Sequence, residues 1–311
     1  MPNFSEGRDA ACVDAIVAAI ASVQGVRVLD RTSDWDHHRS VITFAGRRNV
    51  IVEAAVRAAA QAARSIDLTR HQGIHPRLGA LDVLPFVPLG NSTLEDCVTL
   101  AHLAGKRIVH ELGIPVYFYG AAATRPDRVA LENVRRGQFE GLSEAAPLDS
   151  TKEPDLGGPS LHPTAGAVIV GARKILIAYN INLKTTDLDL ARQIARRIRT
   201  SGGGFANVKA LGLPLISRNL VQVSMNLTDF EQTPLHVVYE EVKRLAAAQG
   251  VDIEGSELIG LLPKSAMESA FAHFVKLSNF SARSVIEDQV RSLAFDTVDL
   301  RGPFLAGEKT C

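Results

Sequence analysis

The 311-residue sequence has few cysteines, few aromatic residues and no excess of either charge. Its three cysteines, Cys12, Cys97 and Cys311, are far apart and form no CxxC pair, so we expect neither a disulfide framework nor a thiolate zinc site. The 34 basic and 34 acidic side chains cancel, which argues against a whole-surface footprint for nucleic acid or an anionic membrane. We therefore predict a cytoplasmic protein with no nucleic-acid or membrane partner, since sparse cysteine suits a reducing compartment.

The sequence also lacks the motifs of several large enzyme classes. It has no GxGxxG turn for a dinucleotide and no GxSxG elbow of a serine hydrolase. Gly202-Gly203-Gly204 is not followed by Lys-Ser/Thr, so it is not a Walker A loop. The most apolar stretch, residues 165–183, is interrupted by Arg173 and Lys174 and is not predicted to span a membrane. The first residues, MPNFSEGRDA, lack the apolar core of a signal peptide.

Helical and strand patterns alternate along the chain, and apolar residues make up 46% of it, enough for a large core. This alternation predicts an α/β fold of two units, residues 1–182 and 183–300, followed by a tail over 301–311. The first residues, PNFSEGRD, are predicted to form a turn, and Gly171 a turn between two strands. A short basic helix is predicted from about Thr124, carrying Arg128, Arg135 and Arg136. The remaining predicted helices cover residues 9–23, 48–65, 94–112, 188–199, 233–249, 264–277 and 284–293. The predicted strands cover residues 26–30, 41–44, 80–87, 114–119, 167–170, 174–182, 208–212 and 220–226, with one more inside 251–262.

The stretch RHQGIHPRLGALDVLPFVP, residues 70–88, concentrates titratable side chains in an irregular turn before a buried strand. Such turns, supported by a rigid element, commonly carry catalytic groups. His75 is the leading candidate for a general acid or base, because imidazole titrates near neutral pH. His71 and His75 have the spacing HxxxH, but Pro76 and the missing glutamate of HExxH disfavour a zinc site. His71 could equally pack or cap the turn.

Arginines near this stretch are candidates for holding an anionic substrate, namely Arg39, Arg70 and Arg77. Surface ion pairs are the alternative, and the commoner, role of arginine. Asp82 could orient His75 or satisfy the backbone of the loop. A second polar cluster, residues 34–38 with two aspartates and two histidines, is either a solvated turn or part of a site.

Several longer segments resemble the glutamate formimidoyltransferase family, the formiminotransferase part of formiminotransferase-cyclodeaminase. They are MPNFSEGRD, HxGxHPRLGALDVxPFVP, HPTAGAVIVGARKILIAYNINL and GGGFANVKALGL, in the order of the family and over most of residues 2–263. The resemblance implies two α/β subdomains, each a β-sheet with helices on its outer face, and a substrate groove between them. It implies transfer of the formimino group from N-formimino-L-glutamate to N5 of tetrahydrofolate, the co-substrate, in histidine degradation. No metal is implied.

The resemblance also assigns residues and partners. His75 falls on the general base of the family, which can accept the N5 proton and return it to the departing glutamate. Substrate contacts are expected at Arg39, Arg77, His38 and Asp82. A homodimer is expected, and the product would pass to a separate cyclodeaminase. The folate-contacting segment of the family falls on ten consecutive residues, Gly157, Gly158, Pro159, Ser160, Leu161, His162, Pro163, Thr164, Ala165 and Gly166.

Two positions depart from the family pattern. Ile74 stands where glutamate often precedes the catalytic histidine, and His38 stands where asparagine commonly precedes the arginine. If that glutamate tunes the imidazole, the pKa of His75 is expected to be lower than usual. Two alternatives therefore stay open, namely formyl transfer between glutamate and tetrahydrofolate at the same site and a folate-binding protein without turnover.

Overall fold

The strands of the chain form two separate sheets with helices packed on them, which confirms the predicted α/β class. The structure is a computed structural model that describes residues 1–278, 280, 281 and 284. The tail 301–311, and the predicted helix 284–293 apart from its first residue, lie outside the described residues. Within the described part of the chain, no helix is long and apolar enough to cross a membrane.

The helices are α1 Ala10–Ala21, α2 Arg48–Ser65, α3 Leu94–Leu112, α4 Leu131–Val134, α5 Gln138–Ala145, α6 Leu188–Ile198, α7 Leu235–Ala247 and α8 Lys264–Phe274. The strands are β1 Asn3–Phe4, β2 Val26–Asp34, β3 Arg39–Gly46, β4 Leu81–Phe86, β5 Val116–Gly120, β6 Val168–Ala172, β7 Ile177–Leu183, β8 Val208–Leu215, β9 Leu220–Leu227 and β10 Ile253–Ile259. Short 3₁₀ helices cover Pro126–Arg128, Thr200–Gly202 and Ile216–Arg218.

The longer helices begin and end where the sequence supplies caps. In α3, Thr93 and Asp96 form a reciprocal capping box, and Gly113 ends the helix in the left-handed region at φ 66°. Asp9 and Asp187 accept hydrogen bonds from the first amides of α1 and α6. The alanines of α2 let that helix pack closely, and most of them are completely buried. Local capping chemistry therefore fixes the helices that cover both sheets.

The first sheet has the strand order β2-β3-β1-β4-β6-β5. Its β4, β6 and β5 pair in parallel, and every residue of β4 and β6 is buried, as expected for strands covered on both faces. Asp82 is the charged exception in the middle of this core, with 0% of its surface exposed. A buried carboxylate requires charged or hydrogen-bonding partners, so this position marks a functional or ionic cluster.

The second sheet is antiparallel, with the order β10-β7-β9-β8. Ile181 and Val223 belong to the apolar core of this unit, whereas their strand neighbours Asn180, Asn182 and Gln222 are buried polar residues. Because side chains alternate between the two faces of a strand, one face of the sheet is apolar and the other is polar. Helices α6 and α7 pack within the apolar core.

Three local predictions were wrong. Residues 2–9 were predicted to form only a turn, but β1 lies in the middle of the first sheet and pairs with both β3 and β4. Gly171 lies inside β6 and is not a turn. The predicted basic helix is divided into a 3₁₀ helix and the short α4.

The chain changes sheets between β6 and β7, so residues 177–182, which the sequence grouped with the first unit, pair in the second sheet.

Candidate active site

Backbone hydrogen bonds attach the loop that carries His75 to Thr164 and Ala165. Leu68 N donates to the carbonyl oxygen of Thr164 at 2.8 Å, and Ala80 N donates to that of Ala165 at 2.9 Å. Gly79 lies so close to the next segment that a Cβ atom on it would be 2.1 Å from the carbonyl oxygen of Ala167. Only glycine allows this approach, so the loop is pressed against residues 164–167.

Arg77 and His71 fix the same loop through their side chains. Two guanidinium nitrogens of Arg77 donate to Glu140 of α5 at 2.6 and 2.8 Å, and Arg77 Nε donates to His71 Nδ1 at 3.1 Å. His71 Nε2 in turn donates to the carbonyl oxygen of His38 at 2.9 Å. Both ring nitrogens of His71 are therefore engaged, and burial lowers its pKa. His71 acts as a structural member of the loop, and it could ligate a metal only by giving up one of these bonds.

The ring of His75 is oriented by its own neighbour in the chain. His75 Nδ1 lies 2.8 Å from the carbonyl oxygen of Pro76, which can only accept, so Nδ1 carries the proton. In the neutral ring Nε2 then holds a lone pair. Burial first, and then the positive charges of Arg39 and Arg135, lower the pKa of His75 well below its ordinary value. The imidazole is therefore neutral at physiological pH and able to accept a proton.

Two arginines and one aspartate form a buried ionic cluster beside His75. Asp82 Oδ2 accepts from Arg39 Nη1 at 2.7 Å and also from Arg135 Nη2, while Asp82 Oδ1 accepts from Leu78 N at 2.8 Å. The carboxylate thus bonds to the two arginines and to the loop backbone, so of the two roles considered for Asp82 its contacts match satisfying the loop and not orienting His75. Burial opposes its ionisation, but the two guanidinium groups outweigh burial and lower its pKa.

This cluster carries a net positive charge, because two guanidinium groups share one carboxylate. Arg39 is buried, which lowers its pKa to about 10. Arg135 Nε is buried without a hydrogen-bond partner among the described residues. A buried, unpaired donor next to a net positive charge is suited to an anionic ligand.

His75 and the cluster line a cavity of about 450 Å³ between the two sheets. His37, Arg39, His75 and Arg135 contribute to its wall from the first unit. The wall from the second unit includes Asn180 of β7, Lys209 of β8, and Ser224 and Asn226 of β9. The polar face of the second sheet therefore forms one wall of the cavity, which has the size of a small-molecule site.

The structure brings together only some of the residues predicted for the site. His75 and Arg39 line the cavity, and Asp82 lies directly behind Arg39. Arg77 and His38 lie outside its lining. Arg77 pairs with Glu140, and the His38 ring stacks on His71 with 4.1 Å between ring centroids.

The predicted folate segment, residues 157–166, also lies away from this cavity. None of its ten residues, all within the described part of the chain, contributes to the lining. His162 Nδ1 accepts from the amides of Thr164 and Ala165, and His162 and Gly166 bond to each other through their backbones. Residues 162–166 therefore form a tight turn, and Thr164 and Ala165 of this turn accept hydrogen bonds from the loop of His75.

Several lining residues were not assigned to the site from the sequence. Arg135 follows the short α4, and Asn180 and Lys209 belong to the second sheet. They lie far from His75 along the chain, and no local sequence pattern indicates that they come close to it in the fold. His37 was noticed only as part of a polar cluster of uncertain role, although its two neighbouring aspartates and the start of β3 were a usable signal.

The sequence of this chain matches two family models and several characterised proteins. The formiminotransferase domain, N-terminal subdomain, matches residues 1–173, and the formiminotransferase domain matches residues 178–303. Glutamate formimidoyltransferase of Streptococcus pyogenes serotype M1 is 45% identical over 90% of this chain and 93% of its own length. The protein of the same name from Thermoplasma acidophilum is 45% identical over 94% of this chain and 97% of its own length. Formimidoyltransferase-cyclodeaminase of Gallus gallus is 44% identical over 89% of this chain but only 52% of its own length. The chain therefore belongs to the formiminotransferase family.

Proposed function

We propose that this chain transfers the formimino group from N-formimino-L-glutamate to N5 of tetrahydrofolate and releases L-glutamate. The proposal is carried by one observation. The neutral imidazole of His75 lies in the wall of a cavity, beside a cluster of side chains with a net positive charge. The reaction itself is inferred from relatives that are named glutamate formimidoyltransferase and are similar over nearly the whole chain.

His75 acts in this proposal as the general base. N5 of the folate attacks the amidine carbon and acquires a positive charge, which makes its remaining proton strongly acidic. An imidazole of lowered basicity is sufficient to remove such a proton, provided that the ring is neutral when the substrates bind. The hydrogen bond from Nδ1 to Pro76 presents Nε2 as the accepting atom.

The positive cluster binds a substrate carboxylate in this scheme. Both the formimino donor and the folate tail are anionic, and guanidinium groups pair with carboxylates in a two-pronged geometry. Arg39 and Arg135 are the residues we assign to this contact, with Asp82 holding both of them in place. Arg77 and His38 act indirectly, because they fix the loop that carries His75.

Folate contacts at residues 157–166 remain a prediction of the family resemblance. The proposal places the reacting ends of both substrates in the cavity at His75, so contacts at this segment would require part of the folate to extend beyond the lining residues. Protection of these backbone amides from hydrogen exchange by tetrahydrofolate would support the prediction. Unchanged exchange would limit the segment to supporting the loop.

We further propose that the chain acts as a cytoplasmic homodimer whose product is consumed by a cyclodeaminase activity. Relatives from Gallus gallus and Sus scrofa are named formimidoyltransferase-cyclodeaminase, so the names pair the two activities in one protein. We also propose that the two units of this chain divide near residues 173–177, between β6 and β7. Sedimentation analysis tests the dimer, and limited proteolysis tests the boundary.

A turnover assay tests the function directly. Purified protein is mixed with tetrahydrofolate and either N-formimino-L-glutamate or N-formyl-L-glutamate, and the folate product is followed after acid conversion to its methenyl form. We expect turnover with the formimino donor. Turnover with the formyl donor alone would make the protein a formyltransferase. Folate binding without turnover of either donor would make it a binding protein.

A further inference from the structure

A second histidine reaches the cavity from the loop between β2 and β3. His37 lines the cavity with only 6% of its surface exposed, and its ring centroid lies 6.0 Å from that of His75. The two rings are tilted by 49° and do not stack. Both rings line the same cavity, so a single bound substrate could meet a ring nitrogen of each residue.

Asp34 holds His37 in this position. Asp34 Oδ1 accepts a hydrogen bond from the backbone amide of His37 at 2.7 Å and lies 2.8 Å from His37 Nδ1. Burial opposes ionisation of Asp34, but the contacts from the His37 side chain and amide lower its pKa overall. Asp34 is therefore an ionised carboxylate at neutral pH, and it stabilises a positive charge on the neighbouring ring.

The two imidazoles thus stand in opposite electrostatic surroundings. His75 faces the guanidinium groups of Arg39 and Arg135, which disfavour its protonated form. His37 faces the carboxylate of Asp34, which also interacts electrostatically with Arg218. Pairs of titratable groups whose surroundings differ in this way commonly divide the acid and base roles of one reaction.

We propose that His37, held by Asp34, is a second catalytic residue that acts as the general acid toward the departing glutamate nitrogen. The inference rests on the proposed function and goes beyond it, because the acid role passes from His75 to a separate residue. A single imidazole could serve both nitrogens only by shifting from one to the other during the reaction.

The step balances with two histidines. The new bond forms between N5 and the amidine carbon, and the N5 proton goes to His75 Nε2. The bond between that carbon and the glutamate nitrogen then breaks, its electron pair goes to nitrogen, and His37 Nε2 supplies the proton. His75 ends with the proton that His37 has lost, and exchange through solvent restores both rings. No oxidant, reductant or net proton is consumed.

The test compares wild-type protein with His37→Gln and Asp34→Asn in single-turnover assays with N-formimino-L-glutamate and tetrahydrofolate. His110→Gln, an exposed histidine on α3, is the matched control. We expect His37→Gln to lower the rate of transfer about 100-fold, with the affinity for tetrahydrofolate unchanged. The control should retain the wild-type rate.

The basicity of the departing amine separates an acid from a structural residue. A donor such as N-formimino-4-aminobenzoate releases an aromatic amine, which departs with less help from a proton donor, so His37→Gln should slow this donor much less than N-formimino-L-glutamate. Asp34→Asn keeps an acceptor for the His37 amide but removes the charge beside the ring, so it too should slow N-formimino-L-glutamate more than the aromatic donor. If His37→Gln does not fold, Asp34→Asn alone decides the question.

Failure of the inference is distinguishable from failure of the function. Wild-type turnover together with an unchanged rate in His37→Gln would overturn the acid role alone. An equal loss of rate with both donors in His37→Gln and in Asp34→Asn would overturn it as well. Absence of wild-type turnover would remove the proposed function and the acid role with it.

Discussion

The charges around His75 decide which proton transfer its ring can perform. A histidine with its ordinary pKa is partly protonated near neutral pH, and a protonated ring cannot act as a base. In this chain, burial and two guanidinium groups keep the ring neutral. The presence of Ile74 led us to expect a lower pKa for His75, but the structure shows that burial and the charges of Arg39 and Arg135 cause the lowering. Arg39 and Arg135 thus serve two purposes, because they attract an anionic substrate and keep His75 available.

Asp82 is the residue on which this arrangement depends for stability. Asp82→Asn should lower the free energy of unfolding by about 3 kcal/mol near neutral pH, because the buried Arg39 and the largely buried Arg135 lose their counter-charge. The folded-state pKa of Asp82 is lowered, so its stabilisation is complete above the unfolded pKa of about 3.9 and is lost as pH falls through the lower folded value. The difference between variant and wild type should therefore shrink in strongly acidic solution.

Urea unfolding at neutral and acidic pH measures this effect. Asp14→Asn is the control, because it breaks only an exposed pair with Arg31, and such pairs contribute less than about 1 kcal/mol. Equal stability of Asp82→Asn and wild type near neutral pH would show that the cluster does not hold the site together.

At the scale of elements, close packing of the loop against its neighbours positions His75. Gly79→Ala should destabilise the protein by about 1–3 kcal/mol, because the new Cβ would meet the carbonyl oxygens of Ala167 and Leu81 and not movable side chains. It should also lower kcat, since the loop must move away from residues 164–167 to accommodate the methyl group. Denaturant unfolding and steady-state kinetics measure both effects.

Gly141→Ala is the matched control for this substitution. A Cβ on Gly141, in α5, would meet no heavy atom within 4 Å other than those of the adjoining helix backbone, so alanine there should be neutral or stabilise the helix by up to about 1 kcal/mol. If Gly79→Ala retained the stability and kcat of the wild type, the loop would not be held as tightly as its contacts imply.

Elements with local signals were predicted well from the sequence. Helices α2 and α3 were placed at their observed bounds, because an alanine-rich face and a capping box are encoded by neighbouring residues. Strand β1 was missed because two residues carry no periodicity, and their pairing with β3 and β4 depends on distant parts of the chain. Gly171 was misread as a turn because a glycine inside a buried parallel strand has the same local signature.

The candidate site was only partly predictable for the same reason. His75 and Arg39 stand beside strands in conspicuous polar segments, and both line the cavity. Arg77 and His38 were equally conspicuous, but the side chain of Arg77 bonds to Glu140 and that of His38 stacks on His71. Arg135 reaches the cavity through its contact with Asp82, and Lys209 through the packing of the second unit, and no spacing in the sequence reveals either approach.

At the scale of the whole molecule, polar side chains of the two units contact each other at two places. Ser217 Oγ, beyond β8, donates to Asp36 Oδ2 at 2.6 Å, and Lys209 Nζ lies 2.6 Å from Glu132 Oε2. The first contact holds the loop that carries His37 against the second unit. The relative placement of the cavity walls therefore depends in part on exposed polar groups.

Ser217→Ala should weaken substrate binding more than it weakens the fold. Loss of one hydrogen bond of about 1 kcal/mol corresponds to a rise in KM of about fivefold, because binding must then order the loop. The melting temperature should stay close to that of the wild type, since the contact is exposed. Ser201→Ala, on an exposed 3₁₀ helix, is the control. An unchanged KM in Ser217→Ala would show that this contact does not shape the cavity.

The central claim is that His75 performs the proton transfer of formimino transfer within this cavity. The most direct measurement is the single-turnover rate of His75→Gln with N-formimino-L-glutamate and tetrahydrofolate, taken together with the affinity of the variant for tetrahydrofolate. We predict that the rate falls by at least about 100-fold while the affinity stays near that of the wild type. Wild-type transfer by His75→Gln would contradict the claim and would move the chemistry away from this residue.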